Sequence, residues 1–244
     1  MKNIKDALGQ RMKNNYEDAY RIKLPRRMPL IIRSDGRAFH TLTRSLEKPF
    51  DNNFIAAMFS TAQYLCENCQ NIKLAYWQSD EISLLLTDYD TLTTESFFDS
   101  NLQKIVSVTA AMATLAFNKK IKEFYPDKEG VFDARAFVLP IAEVNNYFLW
   151  RANDASRNSI QMIAQANFSH KELQNLSCNK LQDKLMLERG INYNDIETHK
   201  KRGACVIKKH DPITGRSSWV VDLEIPLFSV DRDYINRLIE PEEV

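Results

Sequence analysis

Leu30-Ile31-Ile32-Arg33-Ser34-Asp35-Gly36-Arg37-Ala38-Phe39-His40 and Leu74-Ala75-Tyr76-Trp77-Gln78-Ser79-Asp80-Glu81-Ile82 decide the reading of this chain. In each, an apolar run of strand length delivers an acid beside a turn residue. Leu30 to Ile32 leads into Asp35 and Gly36. Ile72 to Trp77 and Ile82 to Leu86 bracket Gln78-Ser79-Asp80-Glu81, which predicts a hairpin with the acids at its tip. A carboxylate at a strand end, next to a glycine and a basic residue, suits a divalent cation and phosphate. Two such carboxylates on neighbouring strands can hold the metal pair used for nucleotidyl transfer.

Outward from these motifs, residues 1–20 predict a polar helix with Tyr16 and Tyr20 four apart, broken by Pro25 and Pro29. The polar, proline-containing segment 41–50 predicts a loop over the site. Asp51 is placed to cap a helix running to about Glu67, with Phe54, Ile55, Met58, Phe59, Ala62 and Leu65 at helical spacing. Residues 90–100 predict a loop, Leu102 to Phe124 a long helix, and Phe132 to Leu139 a strand ended by Pro140. The order is βαββαβ, that of a ferredoxin-like sheet and of polymerase and cyclase palm domains. Further on, Glu143 to Asn167 predicts a helix. Ser169-His170-Lys171-Glu172 is a capping box opening another through about Arg189, closed by Gly190. Gly203 to His210 and Ser217 to Leu223 predict a second hairpin about the turn at 211–215, and a short amphipathic helix follows at 231–239. The predicted class is α+β. A ferredoxin-like, polymerase-type palm spans residues 1–140, and a helical and hairpin extension, 141–244, packs on it as one compact unit.

With 33 Lys and Arg against 32 Asp and Glu, the net charge of +1 does not by itself announce nucleic-acid binding. The positive charge is local: Arg21 to Arg27, then Lys119, Lys120 and Lys122, then His199 to Arg202 with Lys208-Lys209-His210. Three such clusters beside a metal site point to a polyanionic partner. Cys66-Glu67-Asn68-Cys69 has the spacing of a metal half-site, but no second close pair completes a zinc set, and packed, reduced thiols are expected. Met1 to Lys5 runs straight into charge, and Ile105 to Phe117 is too short and hydroxyl-rich to span a bilayer. A cytoplasmic, reducing location with no membrane partner is the expectation.

Asp35 and Asp80 are the candidate metal ligands, with the Gly36 carbonyl as a third donor exposed by glycine's backbone freedom. Mg²⁺ needs few carboxylates when substrate phosphates complete its shell. Alternatively Asp35 forms a turn before Gly36, and Asp80 merely tips a hairpin. Glu81 binds metal or only orients its neighbours. Strand alternation sets it on the opposite side from Asp80 if both are extended, which favours Asp80 as ligand. Ser79 hydrogen-bonds a phosphate or shapes the turn. Arg33 and Arg37 share the face parity of Asp35 and bind phosphate or pair with a nearby acid. Phe39 stacks on a base or fills the core, and His40 and Lys48 lie on the loop side to meet a triphosphate or move a proton.

These residues resemble a known family. The Arg33 to His40 motif, then Lys48-Pro49 with Asp51, then Tyr76 to Glu81, are similar to the tRNA-His guanylyltransferase superfamily, over about residues 5–225. Its members extend RNA at the 5′ end, opposite to ordinary polymerases. The resemblance implies a polymerase-like palm, two Mg²⁺ ions, ATP and GTP as substrates, tRNA as partner, and a homotetramer. It assigns metal to Asp35, Gly36 and Asp80, with Glu81 adjacent. It assigns 5′-end activation and nucleotide handling to His40 and Lys48. Nucleotide binding extends over Arg33, Arg37, Ala38, Phe39 and Ser79, with triphosphate contacts at Lys104 and Lys184. Trp150-Arg151-Ala152-Asn153-Asp154 resembles a further family segment. There the family continues with a His-x-Asn-Asn motif tied to tRNA-His, whereas this chain has Ser156-Arg157-Asn158-Ser159. The departure points to the branch that repairs 5′-truncated tRNA by templated addition through an adenylylated 5′ end. A nucleotide cyclase on the same palm and a non-catalytic tRNA-binding protein are the alternatives.

Overall fold

The apolar runs around the two acidic motifs form the centre of one six-stranded sheet in the computed structural model, which describes residues 4–240. Met1 to Asn3, part of the opening read above, lie outside the described residues. The strands are β1 (Leu30–Gly36), β2 (Ile72–Gln78), β3 (Glu81–Leu86), β4 (Phe132–Val138), β5 (Ala204–His210) and β6 (Ser217–Asp222). Their order is β4-β1-β3-β2-β5-β6, and every neighbouring pair is antiparallel. The first four strands have the ferredoxin-like order. The C-terminal hairpin extends the same sheet through β5 on β2.

The helices are α1 (Ile4–Met12), α2 (Phe39–Leu42), α3 (Asn52–Asn68), α4 (Leu102–Phe124), α5 (Ile141–Asn167), α6 (His170–Leu173), α7 (Cys178–Arg189), α8 (Thr198–Arg202) and α9 (Asp233–Asn236). Alternation along the strands sorts the core into two layers. Ile32, Leu84 and Ala75 pack with α3 and α4 residues such as Met58, Leu65, Ile105 and Phe117. Ile31, Leu85, Leu74 and Tyr76 pack with Val144 and Phe148 of α5 and with Ile225, Phe228 and Ile235 near the C terminus. A third cluster, including Ile163, Phe168, Leu181 and Leu185, holds α7 against the far half of α5. Asp51 caps α3 as the sequence suggests, its carboxylate accepting the Phe54 N–H at 2.8 Å, and the structure adds a second cap, Asn101, which opens α4 by accepting the Lys104 N–H at 3.1 Å.

Several local expectations change. The N-terminal helix is α only to Met12, then widens to a π turn over Lys13–Glu17 and tightens to a 3₁₀ turn over Asp18–Tyr20. The segment 39–45 is helical, as α2 followed by a 3₁₀ turn, rather than loop. The capping box at Ser169 opens only α6. Asn175 takes a left-handed φ of 60°, and Ser177 caps α7 afresh by accepting the Lys180 N–H. Glu81 is the first residue of β3, so only Ser79 and Asp80 form the hairpin tip. Cys66, Cys69 and Cys205 are buried free thiols, and burial pushes Cys69 up to about 12. Among the described residues no helix is long and apolar enough to cross a membrane.

Candidate active site

The sheet brings the two acidic motifs together at one end. In β1, Asp35 lies directly opposite Glu81 on β3 and Asp133 on β4. Directly opposed residues share a face, and Ile31, four residues before Asp35, belongs to the α5 layer. Asp133, Asp35 and Glu81 therefore form a row of acids on the α5 side. Asp80 follows Ser79, whose φ of 52° makes the sharp turn, and the Trp77 indole N–H fastens the turn by donating to the Ser79 carbonyl at 2.8 Å. The Gly36 N–H donates to the Asp80 carbonyl at 3.0 Å, which stitches the two motifs to each other.

Gly36 is needed for space and not for backbone freedom. A Cβ there would lie 2.5 Å from the Phe39 ring. That ring is 2% exposed and packs against Phe54, Phe117 and Phe132, with centroids 6.1, 5.0 and 5.1 Å away. Of the two roles open to Phe39, the structure places it in the core. Ala38 adopts a left-handed φ of 57° and starts α2, which carries His40. His40, Lys48, Ser79 and Asp80 border a cavity of about 430 Å³ whose lining also includes Asn158 of α5 and His199 and Lys200 of α8. The Lys48 ammonium donates to the Thr43 carbonyl at 2.8 Å, and burial lowers the His199 imidazole, with Lys200 adding to the effect.

Burial, and next the charge of Asp35, raises the Asp80 carboxyl above its ordinary value. Among the described residues neither carboxylate is in an ion pair, and a divalent cation held by both would relieve that repulsion. Among the described residues no three Asp, Glu, His or Cys side chains converge as a complete metal cage. A two-carboxylate set fits Mg²⁺ whose remaining ligands are water and substrate phosphates.

Arg33 lies 3.9 Å from Glu81, while Arg37 is exposed beyond the strand end. Lys104 and Lys184 are not brought to the acids. Lys104 lies in the first turn of α4, whose other end feeds β4 at Phe132 opposite Gly36, so about 30 Å of helix separates it from the acid end of the sheet. Lys184 pairs with Glu188 at 2.7 Å over the Phe168 ring, outside the cavity lining. The sequence reading gave no site role to Asp133 or Arg151, and it took His199 and Lys200 only as part of a basic cluster. For Asp133 a signal was present: Asp133-Ala134-Arg135 alternates like Arg33-Ser34-Asp35. Arg151 stood in a quoted motif, but only the fold shows that it donates to Glu81 through Nε at 2.8 Å and Nη2 at 2.7 Å.

A palm-type sheet with paired acids at its strand ends defines a nucleotidyl-transfer class of site. The family model described as tRNAHis guanylyltransferase matches residues 9–140. A bacterial tRNA(His) guanylyltransferase (Thg1)-like protein, solved in complex with ATP, is 53% identical, with a TM-score of 0.91 over 96% of this chain and 100% of that one. A second bacterial Thg1-like structure, in complex with GTP, is 49% identical, with a TM-score of 0.81 over 95% of this chain and 99% of that one. The tRNA(His) guanylyltransferase of Debaryomyces hansenii is 29% identical over 202 residues, which are 75% of this chain and 74% of that protein. The chain belongs to the tRNA(His) guanylyltransferase family, and it is a nucleotidyltransferase.

Proposed function

We propose that the protein adds nucleotides to the 5′ end of truncated tRNA, each chosen by pairing with the opposing strand. The 5′-monophosphate oxygen of the RNA attacks the α-phosphorus of ATP, forming a P–O–P link and expelling pyrophosphate. The 3′-hydroxyl of an incoming nucleoside triphosphate then attacks the 5′ phosphorus of the RNA. A phosphodiester forms, AMP leaves, and the hydroxyl proton passes to solvent. Two Mg²⁺ ions held by Asp35, Asp80 and the Gly36 carbonyl would supply charge neutralisation at the phosphates and acidify the hydroxyl. The chain's own part is placement. The Gly36–Asp80 bond fixes the acids at one end of the sheet, the cavity beside Asp80 accepts a nucleotide, and His40 and Lys48, which border that cavity, meet its phosphates.

The observation that carries this reading is the stitched acid pair in a chain half identical to bacterial relatives solved with ATP and with GTP. Templated repair is favoured over untemplated addition by the Ser156 position. Its hydroxyl turns back to the Ala152 carbonyl at 3.0 Å and offers no imidazole to a tRNA. Base pairing then selects the nucleotide, and the protein has only to bind RNA backbone and shape. The assembly is a homotetramer in which Lys104 serves the site of another copy, because within its own chain it stands far from Asp35. The test supplies 5′-truncated, 5′-monophosphorylated tRNA with ATP, Mg²⁺ and labelled nucleotides. Label should enter at the 5′ end and follow the opposing base. Label at the 3′ end, or insertion indifferent to that base, overturns the proposal.

A further inference from the structure

We propose that Glu81 is a positioning carboxylate, held out of the metal shell, and that Arg151 is the residue that holds it. The inference deepens the nucleotidyl-transfer reading and rests on it. Both oxygens of Glu81 are engaged: Oε1 accepts from Arg151 Nε at 2.8 Å and from Ser83 Oγ at 3.3 Å, and Oε2 accepts from Arg151 Nη2 at 2.7 Å. Arg33 Nε faces Oε2 from 3.9 Å. The two side chains of the Arg151–Glu81 pair are 8% and 7% exposed, so little water competes.

Arg151 is itself fixed from three directions. Its Nη2 also donates to Asp154 at 3.1 Å, its guanidinium stacks 4.5 Å from the Trp150 ring centre, and its backbone lies within α5. Ser83 is fixed in turn by Tyr147 of α5, with hydroxyl oxygens 2.8 Å apart. To reach a cation, Glu81 would have to give up both of its hydrogen bonds from a buried guanidinium and leave it only the Asp154 contact, which interiors resist.

The location gives the clamp a purpose. Glu81 follows Asp80 in the chain and lies opposite Asp35 across the ladder. Its side chain therefore ties to α5 a strand end that adjoins both Asp35 and Asp80. With Glu81 neutralised by Arg151 and Arg33, and Asp133 facing Arg135 at 3.5 Å, the acids at this end of the ladder left without an ion pair among the described residues are Asp35 and Asp80. A carboxylate that orients a ligating neighbour acts as an outer-shell group, and loss of such groups costs roughly 10–100-fold in metal affinity or activity.

The test is Mn²⁺ binding, read from the free-ion electron paramagnetic resonance signal in the presence of a non-hydrolysable ATP analogue. It needs no RNA and no turnover, so its outcome is separate from whether the protein repairs tRNA. Glu81→Gln should keep the wild-type number of Mn²⁺ ions with affinity weakened by roughly 10–100-fold at most, whereas Asp35→Asn and Asp80→Asn should lose ions. Arg151→Met should behave like Glu81→Gln, and the double variant Glu81→Gln/Arg151→Met should be no worse than either alone, since Arg151 acts through Glu81. The double variant removes both charges of the Arg151–Glu81 pair together, so it keeps the comparison available should Arg151→Met fail to fold. Loss of an ion in Glu81→Gln, matching Asp35→Asn, makes Glu81 a ligand and overturns the proposal. So does a double variant whose defect is the product of the single defects.

Discussion

Asp80 is under conflicting demands. Burial and the neighbouring Asp35 raise its pKa, so the folded protein holds its proton more tightly than the unfolded chain does. For such an acid, stability falls as pH rises from the unfolded pKa through the folded one, and the loss persists above that window. At neutral pH without divalent cation, Asp80→Asn should therefore raise the melting temperature while lowering activity by more than ~100-fold, beyond what outer-shell losses cause. A melting temperature lowered by Asp80→Asn would show that the carboxylate is satisfied without a cation. In the wild type, Mg²⁺ with nucleotide should raise the melting temperature by mass action, and Asp35→Asn should remove that rise. The two aspartates were legible in the sequence because turn residues flank them at strand ends. Arg151 was not legible in this way. Its partner lies 70 residues away, and helix spacing alone pairs Arg151 only with Asp154.

Elements hold the cavity wall through a few anchors, and Asp51 is the clearest. Burial raises its carboxyl, but hydrogen bonds from Tyr125 Oη and from the Phe54 and Glu47 N–H groups outweigh burial and set its pKa below the usual value. A depressed acid stabilises the fold above its unfolded pKa, about 3.9, and loses that contribution as pH falls through the folded pKa. Asp51→Ala should destabilise the protein by at least the ~1 kcal/mol typical of a lost N-cap. Denaturant midpoints should show the gap from wild type closing as pH drops below about 3.9. A gap independent of acid would assign the loss to packing instead. Gly36→Ala should cost about 1–3 kcal/mol by overpacking against Phe39, and Gly36→Ala/Phe39→Leu should recover part of it. The βαββαβ order was readable because strand-length apolar runs alternate with helical periodicity. The attachment of β5 to β2 was not, because pairing partners more than a hundred residues apart leave no local pattern. The break between α6 and α7 escaped for a smaller reason: a single left-handed Asn175 ends a helix that the capping box correctly began.

At the scale of the whole molecule, acids elsewhere offset the basic clusters and leave a net charge of only +1, yet the clusters make RNA affinity a matter of salt. Each phosphate neutralised by Lys or Arg should contribute about −0.7 to −0.9 to the slope of log affinity against log salt. The same scale governs Lys104. The helical segment 4–20 exposes Leu8, Met12, Tyr16 and Tyr20 at four-residue intervals, with 53%, 48%, 60% and 75% of their surfaces open. An apolar stripe of this kind gains by burial against another copy. Leu8→Asp with Tyr16→Asp should therefore lower the mass measured by light scattering. Sharing of sites between copies has a sharper test. Asp35→Asn protein lacks a ligand but keeps Lys104, whereas Lys104→Ala protein keeps the acids. If Lys104 serves a partner's site, some sites in mixed oligomers combine an intact acid pair with an intact lysine. Mixing the two inactive proteins under subunit exchange should restore incorporation well above the sum of the parts. If Lys104 acts within its own chain, or not at all on the nucleotide, no site in the mixture gains what it lacked, and activity stays at that sum.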